Sequence, residues 1–276
     1  MPRAAVNGIH LSYNDYGSGE PVVLVTGSGA TGKMWAPHQV PALAAAGFRV
    51  ITIDNRGMPP SDVCPEGFTI DDMVADTVGL IEMLGVGPCR IVGFSLGAMM
   101  VQELLIAHPD LITQAVLTAT RGRTDALRAA MSAAESELMD SGIVLPPRYA
   151  ATVHANQFLS PRTQNDEQRI KDWLDIFEIG LAAPAENRAQ RGLELVGNRL
   201  EGYRKIRSQC LVVGFRDDLI APPHLCREVA DHIPACRYEE LADCGHYGFL
   251  EQPEAANSLI IDFFGCSTGT PPQFNA

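Results

Sequence analysis

The chain alternates between short continuous apolar runs and longer stretches in which apolar residues recur every three or four positions. Continuous runs are typical of strands buried on both faces, and the spaced pattern is typical of helices with one apolar face. Residues 4 to 16 alternate instead, which predicts an opening antiparallel strand or hairpin. The apolar runs predict five buried strands and a short last one: Pro21–Thr26, Phe48–Ile53, Cys89–Phe94, Leu111–Leu117, Cys210–Phe215 and Tyr238–Leu241.

Helical spacing follows most of these strands. We predict helices at 34–43, 69–84, 96–105, 222–232 and 253–264. Regular alternation of strands and helices implies right-handed crossovers and a mostly parallel, doubly wound sheet. The predicted fold class is therefore α/β.

One stretch breaks this alternation. From about 121 to 205 four or so helices follow one another, one with Trp173, Ile176, Phe177 and Gly180 on one face, and no run of the buried-strand type occurs. Such a block cannot lie within the sheet, so we expect an inserted helical cap over one edge. The predicted domains are a core of residues 1–120 and 206–265, a cap of residues 121–205, and a disordered tail of residues 266–276 rich in Gly, Pro, Thr and Ser.

Composition and charge narrow the classes of function. The 276 residues carry a formal net charge of -12, which argues against nucleic acid and anionic membranes as partners. The seven cysteines show no C-x-x-C spacing, which argues against a metal site and a disulfide framework. The sequence has neither an apolar signal-peptide core nor an apolar run of membrane-spanning length. We therefore expect a cytoplasmic protein whose partner is a small-molecule substrate.

The candidate chemistry centres on Gly93-Phe94-Ser95-Leu96-Gly97, where an apolar strand runs into a helix. A sharp turn from strand to helix would hold Ser95 at its tip in a strained backbone conformation, at the positive end of the helix dipole. Side chains at the flanking positions would clash there, so both are glycine. Because serine is a poor nucleophile at neutral pH, Ser95 needs a neighbouring base that a third group orients.

His246 is the candidate base, because it lies in the loop between the last short strand and the last helix. For the other six histidines, structural or solvated roles are more typical. The acid should come from the loop after the strand at 210–215, where Asp217 and Asp218 compete because neighbouring side chains point in different directions. Apolar residues and a helix-starting proline follow Asp218, so we predict that Asp218 is the acid and keep Asp217 as the alternative.

Two backbone N–H groups are candidates for holding negative charge on a substrate oxygen: those of Ser28 and Leu96. Ser28 lies in a flexible glycine-rich loop after a buried strand, and Leu96 begins the helix after Ser95. The loop 27–32 also has the G-x-G-x-x-G spacing of nucleotide sites. However, Ser95 supplies a competing site, and no ribose pocket is indicated about 20 residues further on.

With these motifs the chain resembles capped α/β-hydrolases, over roughly residues 8 to 264. The resemblance rests on the elbow around Ser95, Asp54-Asn55-Arg56-Gly57, Asp218–Pro222 and Gly245-His246, in the order Ser, Asp, His. It implies a Ser95–His246–Asp218 triad, acyl-enzyme chemistry and no cofactor. Relatives with aspartate at the elbow open epoxides or remove halide, and the serine argues against both.

Two departures from the family pattern stand out. The usual His-Gly of the oxyanion loop is Thr26-Gly27, so the contribution of the histidine to the loop conformation must come from elsewhere. The usual small-residue loop after Arg56-Gly57 is Met58-Pro59-Pro60-Ser61, which stiffens an edge of the site.

The leading hypothesis is a serine hydrolase that cleaves an ester, thioester or lactone of a small hydrophobic molecule. The Gly27-Ser28-Gly29 loop resembles that of relatives that hydrolyse carbon–carbon bonds. A C–C bond hydrolase, lyase or cyclase acting on a biosynthetic intermediate is therefore the alternative. A non-catalytic ligand receptor is the third hypothesis, although a pure binder has no need of all three catalytic groups. We expect the cap to determine which substrate binds. Its Tyr149 and Tyr203 fit surface or packing roles better than substrate binding.

Overall fold

A computed structural model describes residues 2–182, 190, 193 and 197–265. Its strands are β1 Arg3–Val6, β2 Ile9–Tyr16, β3 Glu20–Val25, β4 Phe48–Asp54, β5 Cys89–Phe94, β6 Ile112–Thr118, β7 Gln209–Phe215 and β8 Cys236–Leu241. They form one eight-stranded sheet in the order β1-β2-β4-β3-β5-β6-β7-β8. The β1–β2 and β2–β4 pairs are antiparallel and the others are parallel. The predicted α/β class with a mostly parallel sheet is therefore confirmed; the predicted tail, 266–276, lies outside the described residues.

The helices lie largely where the spacing predicts them. They are α1 Gln39–Ala45, α2 Ile70–Leu84, α3 Leu96–Ala107, α4 Ala126–Asp140, α5 Pro147–Phe158, α6 Pro161–Gln164, α7 Glu167–Ala182, α8 Leu200–Tyr203, α9 Pro223–His232, α10 Gly248–Glu251 and α11 Pro253–Gly265. The predicted helix at 34–43 is wrong in its continuity, because a 3₁₀ turn, Gly32–Trp35, precedes a separate α1. Pro37 lies between them and lacks the N–H that would continue a helix. Within the described ranges, no helix is long and apolar enough to cross a membrane.

Two apolar clusters cover the two faces of the sheet. Val23 and Val25 of β3 belong to the cluster that packs against α2, α3 and α9. Val22 and Leu24 of the same strand belong to the cluster that packs against α1 and α11. Successive side chains of a strand point to opposite faces, so a strand covered on both faces is apolar at most positions. This requirement explains the continuous apolar runs in the sequence.

The helices α4 to α7, which we call the cap helices, follow one another between β6 and β7, and no strand occurs in the described part of 121–205. The cap helices have a small apolar cluster of their own, which includes Leu159 and Phe177. The division into core and cap domains stays a prediction.

The buried stripe of α7 differs from the predicted one. Phe177 is buried and Trp173 is half-buried, but Ile176 is 58% exposed. Ile170, Trp173 and Leu174 pack with Phe177, so the stripe follows the spacing of i, i+3, i+4 and i+7. Ile176 lies outside this stripe and is exposed.

Asp54 at the end of β4 carries a stability prediction. Its side chain is fully buried, Oδ1 accepts the Gly32 N–H at 2.7 Å, and Oδ2 has no hydrogen-bond partner among the described residues. Burial raises the pKa of this carboxyl above its usual range. The folded state therefore holds the proton more tightly than the unfolded chain, and the free energy of unfolding falls as pH rises from the unfolded pKa through the folded one.

We compare the free energy of unfolding of Asp54→Asn with that of the parent at two pH values. The difference should favour Asp54→Asn by about 1 kcal/mol more at about pH 8 than at about pH 4. Urea unfolding at both pH values measures the difference. Asp72→Asn is the control of opposite sign, because hydrogen bonds from the Thr69 N–H and hydroxyl lower the pKa of Asp72. A difference between Asp54→Asn and the parent that is the same at both pH values would contradict the prediction.

Candidate active site

Ser95 lies at a sharp turn between β5 and α3. Its φ of 53° and ψ of -118° are the strained backbone conformation that the motif predicts. A Cβ on Gly93 would lie 2.6 Å from Ala98 Cα, and one on Gly97 would lie 2.5 Å from the carbonyl oxygens of Val25 and Thr26. Strand, turn and helix therefore approach so closely that only glycine fits on either side of Ser95.

Ser95, His246 and Asp218 form a hydrogen-bonded chain. His246 Nε2 lies 3.0 Å from Ser95 Oγ, and His246 Nδ1 lies 2.8 Å from Asp218 Oδ2. An ionised carboxylate only accepts, so Nδ1 carries the proton and Nε2 offers its lone pair to the serine hydroxyl. His246 and Asp218 are both buried, whereas Ser95 is partly exposed. This arrangement can move a proton from the hydroxyl to the imidazole.

The two candidate acids have different surroundings. Asp218 Oδ1 accepts the N–H groups of Ile220 and Ala221 at 2.7 and 2.9 Å, which aims Oδ2 at His246. Asp217 is only half-buried, and the described hydrogen bond to His246 Nδ1 comes from Asp218 instead. Burial and the carboxylates of Asp243 and Glu251 raise its pKa.

Aromatic side chains surround the imidazole. The Phe94 ring lies 5.0 Å from the His246 ring, and the Phe158 ring meets it edge-on at 5.4 Å. His154 stacks on Phe158 at 3.8 Å, and its Nε2 lies 3.3 Å from the Tyr247 hydroxyl, whose pKa burial raises to about 12. A position of His154 beside the site was not predicted, because nothing in the sequence brings that part of the cap to the loop of His246.

The predicted oxyanion groups lie in the loop after β3 and at the start of α3. Ser28 is exposed, and a Cβ on the adjacent Gly27 would lie 3.1 Å from Ser95 Cβ, so this loop borders the serine. The N–H of Leu96 belongs to the first turn of α3, where N–H groups have no acceptor within the helix. Both N–H groups are thus placed on the segments that flank Ser95.

Asn55 and Gln190 hold the loop after β3, which we call the oxyanion loop because it carries the predicted oxyanion group of Ser28. Asn55 Nδ2 donates to Thr26 O at 3.0 Å, and the Gln190 side chain accepts the Gly29 N–H at 2.8 Å. Gln190 Nε2 also donates to Arg56 O at 2.7 Å, so one buried amide joins the loops after β3 and β4. These contacts fix the loop in which Thr26 stands where the family has histidine.

The loop after β4 is itself fixed by a buried ion pair. Arg56 Nε and Nη2 donate to the two carboxylate oxygens of Asp76 at 2.5 Å each, and Asp76 raises the pKa of the guanidinium. The carbonyl that accepts from Gln190 therefore belongs to a residue that is held in place. The position of Gln190 in the site was not predictable, because its residue type and spacing carry no signal.

Comparisons with known proteins agree with the fold. Residues 20–253 match the family model described as the alpha/beta hydrolase fold. A Mycobacterium tuberculosis protein, provisionally named non-heme bromoperoxidase BpoC, is 47% identical over 257 residues, which cover 93% of this chain and 98% of that protein.

Two solved structures extend the comparison. The crystal structure of BpoC superposes with a TM-score of 0.90 at 45% identity, covering 94% of this chain and 97% of that one. An enol-lactonase from Burkholderia xenovorans superposes with a TM-score of 0.75 at 27% identity, covering 95% of this chain and 99% of that one. These similarities extend over nearly the whole chain, including the segments that carry Ser95, Asp218 and His246.

Proposed function

This chain belongs to the α/β-hydrolase family, and we propose that it is a serine hydrolase of a small hydrophobic ester, thioester or lactone. The hydrogen-bonded chain Ser95–His246–Asp218 carries the proposal. It joins a partly exposed hydroxyl, held at a strained backbone turn, to a buried base and a buried acid. The similarity to an enol-lactonase supports a substrate of the ester class. The proposed reaction needs no cofactor, and the substrate is its only partner.

The proposed reaction has two halves. Ser95 Oγ attacks the carbonyl carbon while His246 Nε2 takes its proton, and the N–H groups of Ser28 and Leu96 hold the oxyanion. Asp218 keeps the proton on Nδ1 and stabilises the imidazolium, which then protonates the leaving group. In the second half, water loses a proton to His246 and attacks the acyl group. Collapse of that intermediate releases the acid and restores Ser95.

The aromatic residues beside His246 support a hydrophobic substrate. Trp173 of α7 stacks on Tyr247 at 5.7 Å, and Tyr247 stacks on Phe158 at 5.4 Å. The half-buried rings of Phe158 and Tyr247 border the base, and together with Trp173 they favour an apolar acyl or leaving group over a charged one.

A series of p-nitrophenyl esters of increasing acyl length, together with simple lactones, tests the proposal. Turnover that rises from acetate to medium-chain acyl groups is expected. The same series separates the alternative, because fast turnover of simple acyl esters argues against a dedicated C–C bond hydrolase, lyase or cyclase. Binding of these esters without any turnover would favour the receptor hypothesis instead.

The name of the 47% identical relative supports a second candidate function, a peroxide-dependent bromination without heme. Hydrogen peroxide can attack the Ser95 acyl ester in place of water, which frees Ser95 and forms a peracid. The peracid then passes its outer oxygen atom, with the proton, to bromide, giving hypobromous acid and the carboxylate. Bromination of an acceptor with peroxide, bromide and a carboxylic ester measures this activity. Unchanged bromination by Ser95→Ala would contradict the acyl-enzyme route.

Gln190→Ala is expected to slow ester turnover about tenfold, because Gly29 and the adjacent Ser28 N–H lose the amide that fixes their loop. The interaction with the oxyanion exists only in the transition state, so kcat and kcat/KM should fall together while KM stays constant. Steady-state kinetics with a short-chain p-nitrophenyl ester measures both constants.

Gln164→Ala is the matched control for Gln190→Ala. The Gln164 amide donates to Leu159 O and Ala155 O inside the cap helices, away from the oxyanion loop. Its loss should leave kcat within about twofold of the parent. Equal losses of kcat in the two variants would mean that Gln190 supports the cap rather than the oxyanion loop.

A further inference from the structure

Glu251 is a buried carboxylate that the proposed reaction does not use. It ends α10, five residues after His246, and is 3% exposed. Its Oε1 accepts the Gly245 N–H at 2.6 Å. Its Oε2 accepts the Ser160 N–H at 3.0 Å and the Ser160 hydroxyl at 2.6 Å. Both oxygens are therefore occupied by donors from two separate segments of the chain.

One of these segments precedes the base and the other belongs to the cap helices. Gly245 is the residue before His246, and Ser160 lies between α5 and α6. The two segments touch, because a Cβ on Gly245 would lie 2.4 Å from Phe158 O. The Tyr247 N–H also donates to Phe158 O, at 3.4 Å. The end of α5 is thus packed against the backbone on both sides of His246.

Further hydrogen bonds connect Glu251 and Ser160 to α6 and α7. Ser160 Oγ accepts the Thr163 N–H at 3.2 Å and so caps α6, while Ser160 and Thr163 are both fully buried. Arg169 of α7 donates from Nη2 to the main-chain oxygen of Glu251 at 2.6 Å. Three of the cap helices therefore meet at Glu251 or its partner Ser160.

We propose that Glu251 is a positioning residue that fixes the backbone of His246 against the cap helices, so that the seating of the cap sets the distance from the base to Ser95. The proposal rests on the proposed function, in which His246 is the base. A carboxylate is required because three donors converge on its two oxygens. An amide at this position would direct its own N–H groups at one set of those donors and leave buried groups unpaired.

Glu251→Gln is expected to lower kcat for a short-chain p-nitrophenyl ester about tenfold, with KM within about twofold of the parent. A displaced base slows proton transfer without changing how the substrate binds. The proton resonance of the His246 Nδ1–H that bonds to Asp218, assigned by its loss in His246→Ala, should shift or broaden. Purely structural damage would lower the melting temperature but leave this resonance of the folded fraction unchanged.

Glu254→Gln is the matched control, because it makes the same change at an exposed carboxylate in the first turn of α11. It should retain kcat within about twofold and an unshifted resonance. Ser160→Ala, which keeps the Ser160 N–H, should give a smaller loss of kcat and a smaller shift of the same resonance. It takes the place of Glu251→Gln if that variant does not fold.

Two results would overturn the proposal: a folded Glu251→Gln with parental kcat and resonance, or equal losses of kcat in Glu251→Gln and Glu254→Gln. Failure of the proposed function is a separate outcome. In that case a fluorophosphonate would not label Ser95 of the parent chain. The resonance of the His246 Nδ1–H would still report whether Glu251 positions the ring.

Discussion

Ser95→Ala is expected to abolish labelling by a fluorophosphonate and to lower turnover of p-nitrophenyl esters by about 10⁵- to 10⁶-fold. The reason is that Ser95 Oγ is the atom that would bond to the acyl group, and it lies 3.0 Å from His246 Nε2. Substitution should leave the fold intact, because the strained elbow depends on the glycines at 93 and 97 rather than on the hydroxyl. Mass spectrometry of the labelled protein and ester kinetics measure the two effects.

Ser28→Ala is the matched control for Ser95→Ala. Ser28 lies in the neighbouring oxyanion loop, and its exposed side chain has no part in the proposed reaction, which uses only its backbone N–H. It should retain turnover within about twofold. The double variant Ser95→Ala/His246→Ala should be no slower than Ser95→Ala, because the base has no function without the nucleophile. Equal labelling of Ser95→Ala and the parent would refute the assignment of the nucleophile.

The fold was predictable because its signals are local. A strand covered by helices on both faces is apolar at most positions, so β3 to β7 stand out as short apolar runs. The elbow was predictable for a similar reason, since close contacts with Ala98 and with Val25 and Thr26 exclude every side chain at Gly93 and Gly97. His246 was predictable from its position in the loop between the last short strand and the last helix.

The surroundings of the site were not predictable, because they depend on how the cap helices lie on the core. His154 packs beside Tyr247, and Gln190 joins the loops after β3 and β4, although each is distant in sequence from its partners. Glu251 is close to His246 in sequence, but its role depends on Ser160 from the cap. Helical spacing predicts an apolar stripe and does not predict which core residue the stripe meets.

Asp218→Asn is expected to lower kcat about 10⁴-fold. The asparagine Oδ1 can keep the N–H groups of Ile220 and Ala221, so its Nδ2 would replace the oxygen that faces His246. That Nδ2 donates and cannot accept the proton of His246 Nδ1. The imidazole would then carry its proton on Nε2, where it cannot accept the proton of Ser95. Ester kinetics and loss of the Nδ1–H resonance measure the change.

Asp217→Asn is the adjacent control, and it decides between the two candidate acids. The Asp217 carboxyl is half-buried, and burial with the carboxylates of Asp243 and Glu251 raises its pKa. Neutralising it removes a repulsion and leaves the hydrogen bond between His246 and Asp218 intact, so kcat should stay within about threefold of the parent. A large loss in Asp217→Asn with near-parental kcat in Asp218→Asn would reverse the assignment. Such a result would require the loop 216–221 to turn, because only one of two adjacent carboxylates can face the ring.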